Sequence, residues 1–170
     1  MLHTLEQLRK VLEWVADNGT SFTKPDDDWA CVAFLFSRKK IKIIHIMFDR
    51  AGKEAVIDNI AVMVKQTKAV SGALVISQWF LAMRTDTPMI DTTFEMLDSM
   101  GVRNHPNRKE QVSVELFDGT NEEIWDAEIE RYPDRPPTLK PWVKRDWENS
   151  TGRMANVLKR AFALAKREKV

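Results

Sequence analysis

The sequence predicts a single α+β domain over residues 1–170, with a mainly antiparallel sheet of about five strands and helices packed mostly on one face. The spacing of apolar residues alternates between the helical and the strand period along the chain. A basic segment, 37–40, separates two β-rich runs and is short enough for an antiparallel hairpin. The composition, 44% hydrophobic and 30% charged over 170 residues, is that of one globular domain.

The first half of the chain contains two predicted helices and three predicted strands. Thr4 and Gln7 form a capping-box pattern that begins the first helix, and Gly19 is a suitable end. In the second β-rich run both faces are apolar around His45, which predicts a central strand. The predicted order is a helix at 5–19, strands at 30–36 and 41–48, a helix at 53–68 and a strand beginning at 72.

The second half contains a predicted hairpin and an amphipathic C-terminal helix. The apolar residues of 112–116 alternate with Ser113 and Glu115, which predicts a half-buried strand. A turn at 118–121 leads to a strand at 125–130 whose outer face is acidic. The other predicted elements are a short helix at 93–100, a Pro- and Trp-containing arm at 132–149 and a basic amphipathic helix at 150–170.

Cysteine usage and hydropathy predict a cytoplasmic protein. Cys31 is the one cysteine, so no intrachain disulfide can form, which fits a reducing compartment. It lies in an apolar run, where a buried structural thiol is expected rather than a nucleophile. No apolar run approaches the ~20 residues that a bilayer span needs, and residues 1–6 lack the layout of a signal peptide. We therefore expect no membrane association.

Known ligand-binding motifs do not occur, so neither a metal nor a cofactor is expected. His3, His45 and His105 are far apart in sequence, and none belongs to a pattern typical of a zinc site. The acidic run 26–28 is typical of a solvated loop rather than of a cation site. The glycines lack the spacing of a phosphate-binding loop, and no nucleophile elbow of a hydrolase is present.

Charge is distributed unevenly, although the net charge is only +1. Residues 139–170 contain nine basic and three acidic residues, whereas 115–130 contains seven acidic residues and no basic one. The C-terminal helix is expected to pack through its apolar stripe, with its basic face solvated or set against the acidic hairpin. The alternatives are contact between helix and hairpin in a homodimer, and nucleic-acid binding. The residues proposed for nucleic-acid contact are Arg153, Lys159, Arg160, Lys166 and Arg167.

The strongest candidate for a polar site is the Pro-containing approach to the strand at 112–116. His105 could act there as acid or base, Arg108 could hold an anion, and Glu110 adds a carboxylate. The structural alternative is that Arg108 and Glu110 pair across a strand end. The residues that would line this pocket from the neighbouring strand are Ser77, Gln78 and Trp79.

Two short motifs are the segments 76–80 (ISQWF) and 105–110 (HPNRKE), the second followed by a valine-rich strand and Asp118-Gly119. Together they resemble a group of uncharacterised bacterial and phage proteins, whose pattern is roughly S-E-x-W and then H-P-x-R-x-E, over about residues 71–120. The resemblance implies a common α+β domain and no particular activity. Gln78 stands where the group has an acidic residue, so this motif lacks a carboxylate. Trp79 also follows directly, without the intervening residue of the group's pattern.

The sequence favours a non-enzymatic accessory protein of phage or bacterial origin that acts through protein–protein contacts and associates with itself, plausibly as a homodimer. Trp142 and Trp147 are the residues expected to contact a partner or a second subunit. One alternative is an enzyme or small-anion-binding protein that uses the His105, Arg108 and Glu110 pocket, which requires the two motifs to lie side by side. The other is nucleic-acid binding through the basic C-terminal helix.

Overall fold

The chain folds around one antiparallel sheet. The computed structural model describes residues 3–47, 52–80, 109–145 and 156–167. The helices are α1 (Leu5–Leu8), α2 (Lys10–Gly19), α3 (Lys53–Thr67) and α4 (Val157–Arg167), and the strands are β1 (Val32–Phe36), β2 (Ile41–His45), β3 (Ser71–Phe80), β4 (Lys109–Phe117), β5 (Glu122–Glu130), β6 (Thr138–Leu139) and β7 (Val143–Lys144). Within these ranges the strand order is β2-β1-β3-β4-β5-β6, with β7 also paired to β5, and every pairing is antiparallel. The predicted α+β class and antiparallel sheet are confirmed.

Two details of the predicted architecture are wrong. The described part of the sheet has seven strands rather than about five, because the arm at 132–149 contributes the short strands β6 and β7. Helices also cover both faces of the sheet rather than mostly one. Helices α3 and α4 pack on one face, and α1 with α2 packs on the other.

The alternation of side chains along the strands separates two apolar cores. Leu35 and Leu74 face α3 and α4, whose apolar stripes complete the first core. Phe34 and Val75 face α1 and α2 and belong to the second core. Since β1 contributes residues to both cores, all five of its side chains are buried.

Several local predictions are confirmed. Thr4 Oγ1 accepts a hydrogen bond from Gln7 N (3.2 Å), while Gln7 Oε1 accepts one from Thr4 N (3.0 Å), which is the predicted capping box. The predicted helix 5–19 is interrupted only at Arg9. The hairpins β1–β2 and β4–β5 form as expected. The stripe of the last helix is buried at Val157, Leu158, Ala161 and Ala165.

The turn between β4 and β5 requires glycine at position 119. Gly119 has φ +102°, and a Cβ there would lie 2.7 Å from the carbonyl oxygen of Val70. Asp118 Oδ1 accepts hydrogen bonds from the backbone N–H groups of Thr120 (2.8 Å) and Asn121 (2.7 Å), which closes the turn. The tightness of this turn fixes the register of the hairpin.

Among the described strands, β2 lies at the edge of the sheet and not in the predicted central position. The chain from β2 passes through α3 to β3, and β3 then pairs with the other side of β1. Ile44 and Ile46 pack against the α3–α4 core, whereas Ile41 and Ile43 are 58% and 51% exposed. The apolar residues on one face of β2 therefore pack against the core, whereas those on the other face are exposed to solvent.

The remaining expectations concern the thiol, the membrane and one helix. Cys31 is partly buried and packs against the α3–α4 core, as a structural thiol does. Among the described helices, none has the length and apolar character needed to cross a bilayer. The predicted short helix at 93–100 lies outside the described residues.

Candidate functional site

The register of β3 and β4 brings the described parts of the two sequence motifs side by side. The pairs are Ser77 with Val112, Gln78 with Gln111 and Trp79 with Glu110. This is the arrangement that the pocket hypothesis requires at this end of the sheet. His105 and Arg108 lie outside the described residues, so the pocket itself stays a prediction.

Arg131 holds Glu110 on the α1–α2 face of the sheet. Its Nε donates to Glu110 Oε2, and its Nη2 lies 3.2 Å from Asp28 Oδ2. Its Nη1 donates to two backbone oxygens of the 25–27 loop, at 3.3 and 3.1 Å. Ser77 Oγ donates to Asp28 Oδ1 at 3.2 Å. The charged groups of this Arg131 cluster are engaged with one another and tie the loop before β1 to the ends of β4 and β5.

A second polar network, centred on Ser113, lies on the α3–α4 face. Ser113 Oγ donates to Asp126 Oδ1 (2.6 Å) and accepts from Gln78 Nε2 (3.0 Å) and Gln111 Nε2 (3.1 Å). Arg145 donates to both oxygens of Asp126, at 2.8 and 2.7 Å, in a bidentate pair. Because Arg145 follows β7, the Ser113 network fastens the arm to the sheet. The expected half-buried alternation in β4 is corrected, since Ser113 is buried too.

Glu123 is the centre of ion pairing on the α1–α2 face. Arg9 donates to its two carboxylate oxygens at 2.9 and 2.7 Å, Lys144 Nζ donates at 3.1 Å and Trp125 Nε1 donates at 3.0 Å. The hydrogen bonds from Arg9, together with those from Trp125 and Lys144, lower the pKa of Glu123 to about 2. The ionised carboxylate therefore joins α1 and β7 to β5.

Most carboxylates of the acidic strand β5 are paired with cations of the same chain. Glu128 Oε1 accepts from Lys140 Nζ at 3.0 Å and lies 3.6 Å from Lys109 Nζ. The predicted acidic outer face is corrected, because Asp126 and Glu128 are half-buried beneath Arg145 and Lys140. The arm folds back along β5 and supplies both cations. These carboxylates are not left open to the basic helix of a second copy.

Glu115 and Glu122 form a buried carboxyl pair where α4 begins. Glu115 Oε1 accepts hydrogen bonds from the backbone N–H groups of Leu158 (2.8 Å) and Lys159 (3.4 Å), which caps the helix. Burial, together with the hydrogen bond to Glu122, raises the pKa of Glu115 well above its ordinary value, and burial also raises the pKa of Glu122. Glu115 Oε2 and Glu122 Oε1 are buried and find no hydrogen-bond partner among the described residues, an environment that favours the protonated carboxyl.

The exposed face of α4 carries the cations proposed for nucleic-acid contact. Those within the described residues are Lys159, Arg160, Lys166 and Arg167. Arg160 donates to Glu54 Oε2 at 2.8 Å, which sets part of this face against α3 rather than against the acidic hairpin. Arg153 lies outside the described residues. The burial of the apolar stripe and the exposure of the cations agree with the packing expected of a terminal helix.

Of the two tryptophans expected to meet a partner, Trp142 lies within the described residues and Trp147 lies outside them. Trp142 is half-buried and packs against the α1–α2 core, so part of its ring is already used within the chain. Its neighbour Val143, in β7, is 65% exposed. The arm is thus anchored to its own sheet at Trp142.

Strand β2 leaves one edge of the sheet unpaired within the described residues. Hydrogen-bonded pairs alternate with non-bonded pairs along an antiparallel ladder. Ile46 N donates to Cys31 O at 2.9 Å, so the even-numbered residues of 42–46 direct their amides toward β1. The residues whose N–H and C=O groups point outward are Ile41, Ile43 and His45.

Side chains of β2, of the residues that follow it and of α2 form an exposed apolar patch on the α1–α2 face. Ile43 is half-exposed, and Met47, which continues the alternation, is 64% exposed. Trp14, 42% exposed, packs edge-on against Phe34 with ring centroids 4.9 Å apart, and Phe34 lies opposite Ile43. An exposed edge with apolar side chains is a surface that can pair with another strand.

The same edge is strongly basic. Its cations, all exposed, are Arg38, Lys39, Lys40 and Lys42. Residues 37–47 contain no acidic residue. Lys42 points to the opposite face from Ile41 and Ile43, because side chains alternate along the strand.

Sequence reasoning did not single out this edge. Its apolar pattern has the same form as that of a central strand, and the informative signal was the cluster of cations at 38–42, since lysine is typical of exposed edge strands. Sequence reasoning also missed Arg131 and Arg145. Their roles depend on which strands become neighbours, and that information is not local in the sequence.

No protein-family model, curated protein or solved structure matches this chain. Within the described ranges, no three His, Cys, Asp or Glu side chains converge as metal ligands. The function is therefore inferred from the geometry of the chain itself.

Proposed function

We propose that this protein is a non-enzymatic binding protein that acts through protein–protein contacts, by adding an extended strand of its partner to the outer edge of β2. One observation carries the proposal: Ile41 and Ile43 combine outward-pointing amides with half-exposed apolar side chains. In strand addition, main-chain hydrogen bonds supply affinity and alternate side chains supply specificity. The edge of β2 offers both.

The polar clusters of the sheet support binding rather than catalysis. In the Arg131 cluster and the Ser113 network, each carboxylate is bonded to a guanidinium, and each cluster joins separate segments of the chain. The Glu115–Glu122 pair lies buried beneath α4. Catalysis needs a group that is placed to exchange protons with a substrate, and these groups serve as internal ties.

The test adds strand-forming peptides to the full chain and follows hydrogen exchange of individual backbone amides by NMR. Three hexapeptides, in which valine alternates with glutamate, glutamine or lysine, probe the edge irrespective of charge. We expect at least one peptide to slow exchange at Ile41, Ile43 and His45, while the amides of β4 keep their rates. Unchanged exchange at these three amides with all three peptides would overturn the proposal.

A matched pair of variants tests the side-chain contribution. Ile43 and Val62 are 51% and 52% exposed, but Val62 lies on α3, over the other face of the sheet. We expect Ile43→Ser to weaken binding of the best peptide about tenfold, because the covered isoleucine surface is lost. Val62→Ser should leave the affinity unchanged, and an equal loss in both variants would contradict binding at β2.

A further inference from the structure

We infer that the strand received by β2 is an acidic segment of another protein, in which carboxylates alternate with apolar side chains. The inference rests on the proposed function and adds the chemistry of the partner. It follows from the charges and faces of the edge strand.

The two faces of β2 require an alternating partner. Lys42 lies toward one face of the sheet, with Lys40 two residues before it, and Ile41 and Ile43 lie toward the other face. Directly opposite residues of paired strands share a face, with Cβ atoms about 4.5–5.5 Å apart. An added strand therefore places every second side chain beside the lysines and the others beside the isoleucines. Carboxylates complement the first set, and apolar side chains complement the second.

The cations of this edge are not neutralised by the rest of the described chain. Its salt bridges involve Arg9, Lys109, Arg131, Lys140, Lys144, Arg145 and Arg160. None of these is among the four exposed cations of 38–42. Uncompensated charge of one sign on an interaction surface attracts and orients a partner of the opposite sign.

A second copy of the chain is a poor occupant of the same edge. Because residues 37–47 contain no acidic residue, a second β2 strand would add cations to this edge and no carboxylate. The acids that could compensate, Glu123, Asp126 and Glu128, are bonded within their own chain. Two edges that carry charge of the same sign do not complement each other, which disfavours the homodimer.

A nucleic acid is also a poor fit. Its phosphates would meet the cations and accept hydrogen bonds from the outward N–H groups, but the outward C=O groups and the half-exposed isoleucines would gain no partner from a phosphate backbone. An acidic peptide strand satisfies the amides, the isoleucines and the lysines together. The observations therefore favour a protein.

The experiment compares fluorescein-labelled versions of the three hexapeptides by fluorescence anisotropy at low and high salt. We expect the glutamate peptide to bind about tenfold more tightly than the glutamine peptide at low salt, with the difference removed at high salt. The double variant Lys40→Glu/Lys42→Glu should reverse the order, so that the lysine peptide binds most tightly. The control Lys166→Glu/Arg167→Glu makes the same charge change on α4 and should leave the order unchanged.

Each contrary outcome identifies what has failed. Equal binding of the glutamate and glutamine peptides, with Ile43 still protected from exchange, would overturn the acidic partner and leave the proposed function standing. Absence of protection with every peptide would overturn both. A peptide-free dimer in sedimentation that is lost in Ile43→Ser would make a second copy the occupant. Tight binding of a labelled oligodeoxythymidylate that Lys40→Glu/Lys42→Glu abolishes and Ile43→Ser leaves intact would make it a nucleic acid.

Discussion

At one edge of the sheet, β5 is covered by β6 and β7, and its carboxylates Glu123, Asp126 and Glu128 are bonded to cations of the same chain. At the other edge, β2 presents outward amides, half-exposed isoleucines and a run of exposed cations. The first edge, called the closed edge below, is completed by the arm. The second, the open edge, has no paired strand on its outer side among the described residues.

The difference shows how a net charge of +1 can hide a strongly charged surface. The arm carries Lys140, Lys144 and Arg145 to the closed edge, where they neutralise the acidic strand. The cations of 38–42 have no equivalent strand beside them in the described chain. Charge is therefore balanced inside the fold at one edge and exposed at the other.

Proline substitutions in β2 give the largest contrast and test which amides point outward. Ile44 N–H faces β1, so Ile44→Pro breaks a ladder bond to the fully buried Ala33 and should cost about 2–4 kcal/mol of unfolding free energy. Ile43→Pro removes an outward N–H and should cost under about 1 kcal/mol. Urea denaturation of both variants measures the difference. Equal costs would contradict an open edge at β2.

Charge removal at the two edges should have unequal effects. Arg145→Ala leaves the partly buried Asp126 without its bidentate partner and should cost about 2 kcal/mol, with a coupling of about 1–2 kcal/mol in a double-mutant cycle with Asp126→Ala. Lys42→Ala at the open edge should change stability by less than about 0.5 kcal/mol. Thermal or urea unfolding of the four variants provides the comparison. A loss at Lys42 as large as that at Arg145 would mean that the open edge is also closed by internal ion pairs.

Local signals were sufficient to predict most helices and hairpins, but not the short strands β6 and β7 of the arm. The capping box at Thr4, the hairpin turn around Gly119 and the apolar stripe of α4 each depend on residues a few positions apart, and each prediction is confirmed. The placement of β2 was predicted wrongly, because an apolar strand gives the same pattern whether a partner or solvent covers its outer side. Strand order is decided by the crossover through α3.

The polar clusters of the sheet were harder to predict, because their residues become neighbours only through the tertiary fold. Glu115 alternates with apolar residues as an outward side chain would, yet α4 comes from the far end of the chain to bury it. Arg145 and Asp126 are adjacent only because the arm returns along β5. The pocket predicted around His105 and Arg108 lies outside the described residues, and that prediction remains untested.

The smallest predicted effects concern the two faces of the β4–β5 hairpin. The pKa of Glu115 on one face is raised, and the pKa of Glu123 on the other face is lowered. Burial raises the folded pKa of Glu115, so wild-type stability falls as pH rises from 4.5, the unfolded value, through that raised folded pKa. Glu115→Gln cannot ionise and keeps the caps on Leu158 and Lys159. It should therefore be more stable than wild type at pH above the folded value, and equal to it in acid.

Glu123→Gln supplies the control with the opposite sign. Arg9 and its neighbours lower the pKa of Glu123 from 4.5 to about 2, so the stability it contributes is present above pH 4.5 and is lost as pH falls toward 2. Screening around the exposed Arg9 and Lys144 limits the loss in Glu123→Gln at neutral pH to about 1 kcal/mol, and the loss should vanish in acid. Urea unfolding across pH measures both variants. Parallel pH profiles for the two would contradict a raised pKa at Glu115 and a lowered pKa at Glu123, because pKa shifts of opposite direction give slopes of opposite sign.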